Sequence, residues 1–139
     1  LAVANTLSIS FVNDMQELTH VLQVVNVFLE PRALPSKLVY AVNLILEEIL
    51  MNIIKYGYDD GESHEIEVQI EVEREEVALT VIDDGREFNP LTVPPPDRSK
   101  SAMDRLEEGL GLQFVRHMRN AIEYRREEDK NILKIWMFL

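Results

Sequence analysis

Three short groups of residues in this sequence are of types that can act together on a ligand. Glu48 and Asn52 stand one helical turn apart in the apolar run 38–54. At ~100° per residue they lie roughly 40° apart on one helix face, with Lys55 about 20° to the other side of Glu48. An amide oxygen in that place can ligate Mg2+, and a carboxylate can take a proton from a nearby hydroxyl or water. The rest of the run is apolar nearly all round, which predicts a largely buried helix. Burying the pair without partners would cost several kcal/mol, so a cavity wall suits it. A solvated stripe with a loose Glu48–Lys55 ion pair is the plainer reading of the same spacing.

The second group is Asp83-Asp84-Gly85 with Phe88, where an apolar strand gives way to a long irregular stretch. An ionised carboxylate accepts hydrogen bonds and donates none, so it can receive one from an amine such as adenine N6. Gly85 would allow close backbone approach to a base, with Phe88 packed nearby. Asp and Gly are also favoured in strand-to-loop turns for backbone reasons alone. The third group, Gly109-Leu110-Gly111, precedes the apolar segment with Leu112, Val115 and Met118. Glycines at a helix start expose N–H groups and the positive end of the helix dipole, which suits phosphate. No G-x-x-x-x-G-K-[ST] is present, which excludes a P-loop. The glycines do not directly follow a strand within a βαβ unit, which excludes the dinucleotide-binding fingerprint.

These groups need elements to position them. Leu7, Ile9 and Phe11 alternate with serines and predict a strand. Asn13 or Asp14 then caps a helix from Met15 to Leu29. Pro31 and Pro35 interrupt the chain, and Ser36 is expected to cap a helix reaching Tyr56, ended by Gly57 and the turn Asp59-Asp60-Gly61. Ile66, Val68, Ile70 and Val72 alternate with Glu65, Glu67, Gln69, Glu71 and Glu73, a strand with one acidic, solvated face. A turn near Glu75-Glu76 leads to a second strand, Val77 to Ile82. Residues 84–108 lack periodicity and carry Pro90 and Pro94-Pro95-Pro96, as expected of a lid. A helix from Leu110 to Met118 and an antiparallel pair, Ile122–Arg126 with Ile132–Leu139, close the chain. His20, His64 and His117 have no ligand spacing and are assigned ordinary roles. Trp136 and Phe138 are expected in the core or at an interface.

At 139 residues a single domain, 1–139, with a substantial core is expected. The net charge of −11 leaves no basic face for a nucleic-acid backbone, so no nucleic acid is expected. The absence of cysteine excludes disulfides and thiolate metal sites, and fits a cytoplasmic protein. Asn43, Glu47, Glu48 and Asn52 interrupt the longest apolar run, so no membrane span is expected. The start carries no signal-peptide pattern and no methionine, consistent with a processed or excised chain.

LEEILMNIIKYGY, VIDDGREFNP and EEGLGLQFVRHM together resemble the N box and two glycine boxes of the GHKL (Bergerat-fold) ATP-binding family. That family includes histidine kinases, type II topoisomerase ATPase domains and Hsp90. Within it the chain is most similar to stand-alone anti-sigma factor serine/threonine-protein kinases, through almost its whole length. The resemblance implies an α+β fold: a two-layer sandwich of a mixed, mostly antiparallel sheet with helices on one face. ATP would lie between the helices and a lid at about 84–108. Asn52 would hold Mg2+, and Glu48 would be the general base toward a partner's serine hydroxyl. Asp83 would read the adenine amine beside Gly85 and Phe88, while Gly109, Leu110 and Gly111 wrap the phosphates. Lys55, Tyr56 and a lid cation, Arg105, complete the expected ATP-binding set; relatives often carry histidine at the place of Tyr56. The implied substrate is a STAS-domain anti-sigma factor antagonist, with a sigma factor as a second partner and a homodimer as the assembly. Two other readings stay open: a non-catalytic ATP-sensing module that sequesters its partner, and a histidine-kinase catalytic domain. Glu108 stands where many relatives have glycine, and a carboxylate pointing at the phosphate cradle would oppose ATP by Coulomb repulsion.

Overall fold

The computed structural model describes residues 5–74, 76–89 and 119–138. The first strand, β1 (Thr6–Val12), leads into helix α1 (Met15–Leu29) through Asp14, whose carboxylate accepts the Gln16 N–H at 2.9 Å. That bond satisfies one of the orphan donors of the first turn, as an N-cap should. A short 3-10 turn at Glu30–Arg32 and the left-handed Ala33 (φ 50) reverse the chain. Helix α2 (Ser36–Tyr56) then begins one residue earlier than a Ser36 cap would place it. Pro35 holds the cap position without a side-chain bond, its carbonyl accepting from Leu38 and Val39. The proline ring presets the backbone angle that a helix entry requires, and so replaces the serine cap.

Helix α2 is more one-sided than its sequence suggests. Leu38, Ala41, Val42, Ile45, Leu46, Ile49, Leu50 and Ile53 are buried, while Tyr40, Glu47 and Lys55 are exposed. Where α1 crosses it, Asn26 and Asn43 exchange a reciprocal pair of amide hydrogen bonds, 2.8 Å each. Each amide also donates back to its own helix, to Leu22 and Val39 at 2.9 Å. The pair fixes the rotation and axial register of α1 on α2 by a directional contact that apolar packing lacks.

Both helices lie on one face of a five-stranded sheet made of β1, β2 (Glu65–Glu73), β3 (Glu76–Asp83), β4 (Arg119–Glu127) and β5 (Lys130–Phe138). The order is β1-β2-β3-β5-β4, and every ladder among the described residues is antiparallel. This is the expected α+β two-layer sandwich. Alternation assigns the faces: Ile66, Val68, Ile70 and Val72 of β2 and Val77, Leu79 and Val81 of β3 are buried under the helices. On the other face lie the acidic residues of β2 and, from β5, Lys134 and Trp136, with the Lys134 ammonium 4.9 Å from the Trp136 ring.

The strands run longer than their patterns. β3 starts at Glu76, one residue earlier than expected, because Glu76 already pairs with Glu73 and Arg74 takes the left-handed region (φ 55). β4 extends over Arg119–Glu127 rather than Ile122–Arg126, because full pairing with β5 overrides its charged composition. The expected helix Leu110–Met118 and the lid beyond residue 89 lie outside the described residues. No helix among the described residues is long and apolar enough to cross a membrane.

The β4–β5 hairpin closes with Glu128 (φ 51) and Asp129 (φ 62), two residues in the left-handed region between the paired Glu127 and Lys130. A two-residue turn of this kind favours Asn-Gly, and a side chain there costs roughly 1–2 kcal/mol per residue. Replacing Glu128→Asn and Asp129→Gly together should therefore stabilise the chain by on the order of 1 kcal/mol. An upward shift of the urea midpoint with an unchanged slope is the expected result.

Candidate nucleotide site

Asp83 is the last residue of β3 and points to the helix-covered side, in register with Ile66 and Asn131 on the neighbouring strands. It is only 2% exposed. The Asp83 Oδ1 accepts the Gly85 N–H at 2.9 Å and the Asn131 amide at 3.0 Å. Burial pushes its carboxyl above the ordinary 3.8, against the lowering effect of the bonds from Asn131 and Gly85.

Asn131 is the centre of this arrangement. It is 1% exposed, and its Nδ2 donates to Asp83 Oδ1 and to the Arg86 carbonyl at 2.8 Å. Its Oδ1 accepts from the Tyr124 hydroxyl at 2.6 Å and from Arg126 Nη1 at 3.2 Å. The same Arg126 nitrogen donates to the Gly85 carbonyl at 2.7 Å. The segment after β3 is therefore held by side chains of the β4–β5 hairpin, and the buried polar atoms satisfy one another.

The same segment is also held by helix α2. Gly57, the C-cap of α2, keeps its N–H on the Ile53 carbonyl at 2.8 Å, and its own carbonyl accepts the Arg86 N–H at 2.9 Å. A Cβ on Gly85 would stand 2.6 Å from that Gly57 oxygen, closer than any side-chain carbon can sit. Gly85 was expected to give room to a base; in the structure its missing side chain gives room to the end of α2.

Glu48 and Asn52 are half-buried at the edge of the α2 packing face, and Tyr56 is half-buried one turn beyond Asn52. By helical arithmetic Asn52 lies ~180° and Glu48 ~140° from Asn43, so both sit away from the α1 contact. Asn52 is about 7 Å and Glu48 about 13 Å along the axis from Gly57, the residue that touches the segment after Asp83. Lys55 is exposed. Phe88 is half-buried, with the Arg86 guanidinium 5.7 Å from its ring. Arg105, Gly109, Leu110 and Gly111 lie outside the described residues, as does Glu108.

A profile of the histidine kinase-like ATPase domain matches residues 11–137, almost the whole chain. The chain belongs to the histidine kinase-like ATPase domain family. A curated relative, the serine/threonine-protein kinase BtrW of Bordetella bronchiseptica, is 28% identical over 100 residues, which cover 72% of this chain and 70% of that protein. Two solved structures share the fold. The histidine kinase domain of the Erythrobacter litoralis EL346 blue-light activated histidine kinase superposes over 89% of this chain with a TM-score of 0.56 and 18% identity. A second structure of that kinase covers 76% with a TM-score of 0.54 and 21% identity. The chain spans 60% and 32% of those two chains. Membership in this ATPase family implies that the chain binds ATP.

Sequence reasoning missed Asn131, Arg126 and His64. Asn131 carried a usable signal: it occupies the inward phase of β5, ahead of Leu133, Ile135 and Met137, where an amide needs partners. His64 was assigned an ordinary role, but its ring meets Asp60 at 2.6 Å and Asp84 at 3.3 Å. Only the turn after α2 and the end of β3, which are distant in sequence, bring those groups together.

The raised carboxyl of Asp83 has a definite sign. The folded state holds the Asp83 proton more tightly than the unfolded chain, so this group favours folding most at low pH. That contribution is lost as pH rises above 3.8 through the folded value. Asp83→Asn, whose amide oxygen can still accept from Gly85 and Asn131, should remove this component. Urea unfolding of the nucleotide-free chain across pH 4 to 7 is expected to show a flatter profile for the variant. Parallel profiles would mean that Asp83 is not the titrating group.

Proposed function

We propose that this chain is an ATP-dependent protein-serine/threonine kinase of the anti-sigma type, acting on a serine of a STAS-domain antagonist in a partner-switching circuit. The observation that carries the reading is the joining of two chemically different groups by the Gly57–Gly85 contact. A buried acceptor-only carboxylate, Asp83, lies at one end, and a helix bearing half-buried Glu48 and Asn52 lies at the other. Likeness to a protein named a serine/threonine kinase supports the same reaction.

The residues present fit the groups that the reaction needs. A carboxylate oxygen that only accepts suits the amine of adenine and rejects a carbonyl at that position. The amide oxygen of Asn52 belongs to the hard-oxygen class that Mg2+ takes. Mg2+, when bound, would offset phosphate charge and orient the terminal phosphoryl group. Glu48 would accept the serine proton as the hydroxyl oxygen bonds to the γ-phosphorus of ATP, the bond from that phosphorus to the bridging oxygen breaks and ADP leaves. Phosphoryl transfer asks mainly for position and charge compensation, so one base and well-placed donors suffice. Lys55, Tyr56, Phe88, Arg105 and the Gly109–Leu110–Gly111 segment complete the proposed ATP contacts. The assembly is proposed as a homodimer, with a sigma factor as the partner released or captured.

A second reading is a non-catalytic ATP-sensing module, favoured by Glu108 beside the glycine segment in the sequence. The two differ in a transfer assay. Glu48→Ala should keep Mg-ATP affinity in calorimetry and lower phosphorylation of a cognate STAS protein by about 10²–10⁴-fold, the usual contribution of a general base. Asn52→Ala should lose the Mg2+-dependent part of nucleotide affinity. Transfer at the normal rate by Glu48→Ala would show that another group takes the proton. Tight Mg-ATP binding with no transfer by the parent chain would favour the sensing module.

A further inference from the structure

Beside the nucleotide site, and sharing none of its proposed ligands, three side chains converge from the loop between α2 and β2. Asp60, Glu62 and His64 each bring one donor atom, and these atoms all lie within 4.8 Å of one another. The His64 Nε2 meets the Asp60 Oδ2 at 2.6 Å, and the Glu62 N–H donates to the Asp60 Oδ1 at 3.0 Å. On its far side the His64 ring has a different partner. Its Nδ1 lies 3.3 Å from the Asp84 carboxylate, which also accepts the Tyr58 hydroxyl at 3.3 Å. The Tyr58 ring stacks on the imidazole, with centroids 4.4 Å apart and planes at 19°. His64 is thus fixed in both plane and direction: Nδ1 toward the Asp84 carboxylate, Nε2 toward Asp60.

We propose that Asp60, Glu62 and His64 form a binding site for a divalent first-row transition cation of the Zn2+ class, with Asp84 as the outer carboxylate that orients His64. The donor set selects this class. One imidazole nitrogen with two carboxylate oxygens suits Zn2+ and its neighbours, whereas Mg2+ and Ca2+ prefer oxygen alone. Two carboxylates balance the charge of the ion. A carboxylate on the second ring nitrogen is the outer-shell partner that metal-bound histidines commonly have, because it fixes the tautomer and raises the basicity of the ligating nitrogen.

A tetrahedral cation with bonds of ~2.0–2.2 Å holds its donors roughly 3.4 Å apart. Donors up to 4.8 Å apart must therefore close by as much as about 1.4 Å, and the 2.6 Å His64–Asp60 pair must open by about 0.8 Å; the exposed Asp60 and Glu62 side chains have the freedom for both. Three protein donors leave the fourth position to water. The ion would replace the proton shared by His64 and Asp60, so binding weakens as pH falls and the imidazole is protonated. The hydrogen bond from Asp60 raises the His64 pKa above the ordinary 6.5, which extends that proton competition upward in pH.

The test is calorimetric titration of the metal-free, nucleotide-free chain with Zn2+, so that its result is independent of ATP or kinase activity. One Zn2+ per chain is expected. His64→Gln should abolish that binding and Glu62→Gln weaken it. Asp84→Asn should weaken it about 10–100-fold, the usual cost of losing an outer-shell partner. His20→Gln, on the exposed face of α1, should leave it unchanged. Independently of any variant, the His64 imidazole resonances should move on the first equivalent of Zn2+ while those of His20 do not. Binding of equal strength in His64→Gln, or a His64 ring untouched by one equivalent of Zn2+, would overturn the proposal. The cluster would then be a hydrogen-bonded strap and nothing more.

Discussion

The functional end of this molecule depends on one backbone contact, the approach of Gly57 to Gly85. Gly57 ends α2, and Gly85 begins the segment that leaves the sheet. Their separation is so small that a methyl group on Gly85 would stand 2.6 Å from the Gly57 oxygen. The Arg86 N–H seals the junction by donating to the same oxygen. This contact sets the distance between a helix that carries Glu48 and Asn52 and a strand end that carries Asp83. A larger residue at 85 would separate them and leave the buried Gly57 carbonyl without its donor, a loss of roughly 1–3 kcal/mol.

Around the junction the protein spends stability on polarity. The core is apolar throughout α2 and the inner sheet face, where burial is favourable at about 25 cal/mol per Å². Asp83 and Asn131 interrupt it as the buried polar pair. A leucine pair of similar volume would pack there more cheaply, since a buried carboxylate is costly even when bonded. The amide of Asn131 spans Asp83, Arg86, Tyr124 and Arg126 and gives the carboxylate a fixed direction. Such a network makes sense in a family whose ligand is ATP, where an oriented acceptor can discriminate between bases.

The fold was largely legible in the sequence because its elements are locally consistent. Alternation in β1 and β2 marked their faces, and the bounds of α1 and the end of α2 followed from Asp14 and Gly57. The misplaced features have two causes. β4 reads as a weak strand until β5 pairs with its full length, a long-range effect, whereas Ser36 loses the cap to Pro35 locally, because the proline ring presets the helix entry. At the site, spacing identified Glu48, Asn52, Asp83 and Gly85 as residues of interest, but it did not show that Gly85 packs on Gly57. The partners that hold Asp83 come from a hairpin about 48 residues downstream, as the separation of Asp83 and Asn131 shows. His64 likewise gains meaning only when the sheet carries Asp84 to it. No periodicity encodes such contacts.

We propose that Asp83, held by Asn131 and Gly85, reads the base of a nucleotide lying beside α2. The most direct measurement is a crystal structure of the chain with Mg2+ and a non-hydrolysable ATP analogue. The adenine amine is expected within hydrogen-bond distance of the Asp83 carboxylate, with the phosphates extending toward Asn52. A nucleotide bound with its base away from Asp83, or with its phosphates remote from α2, would contradict it.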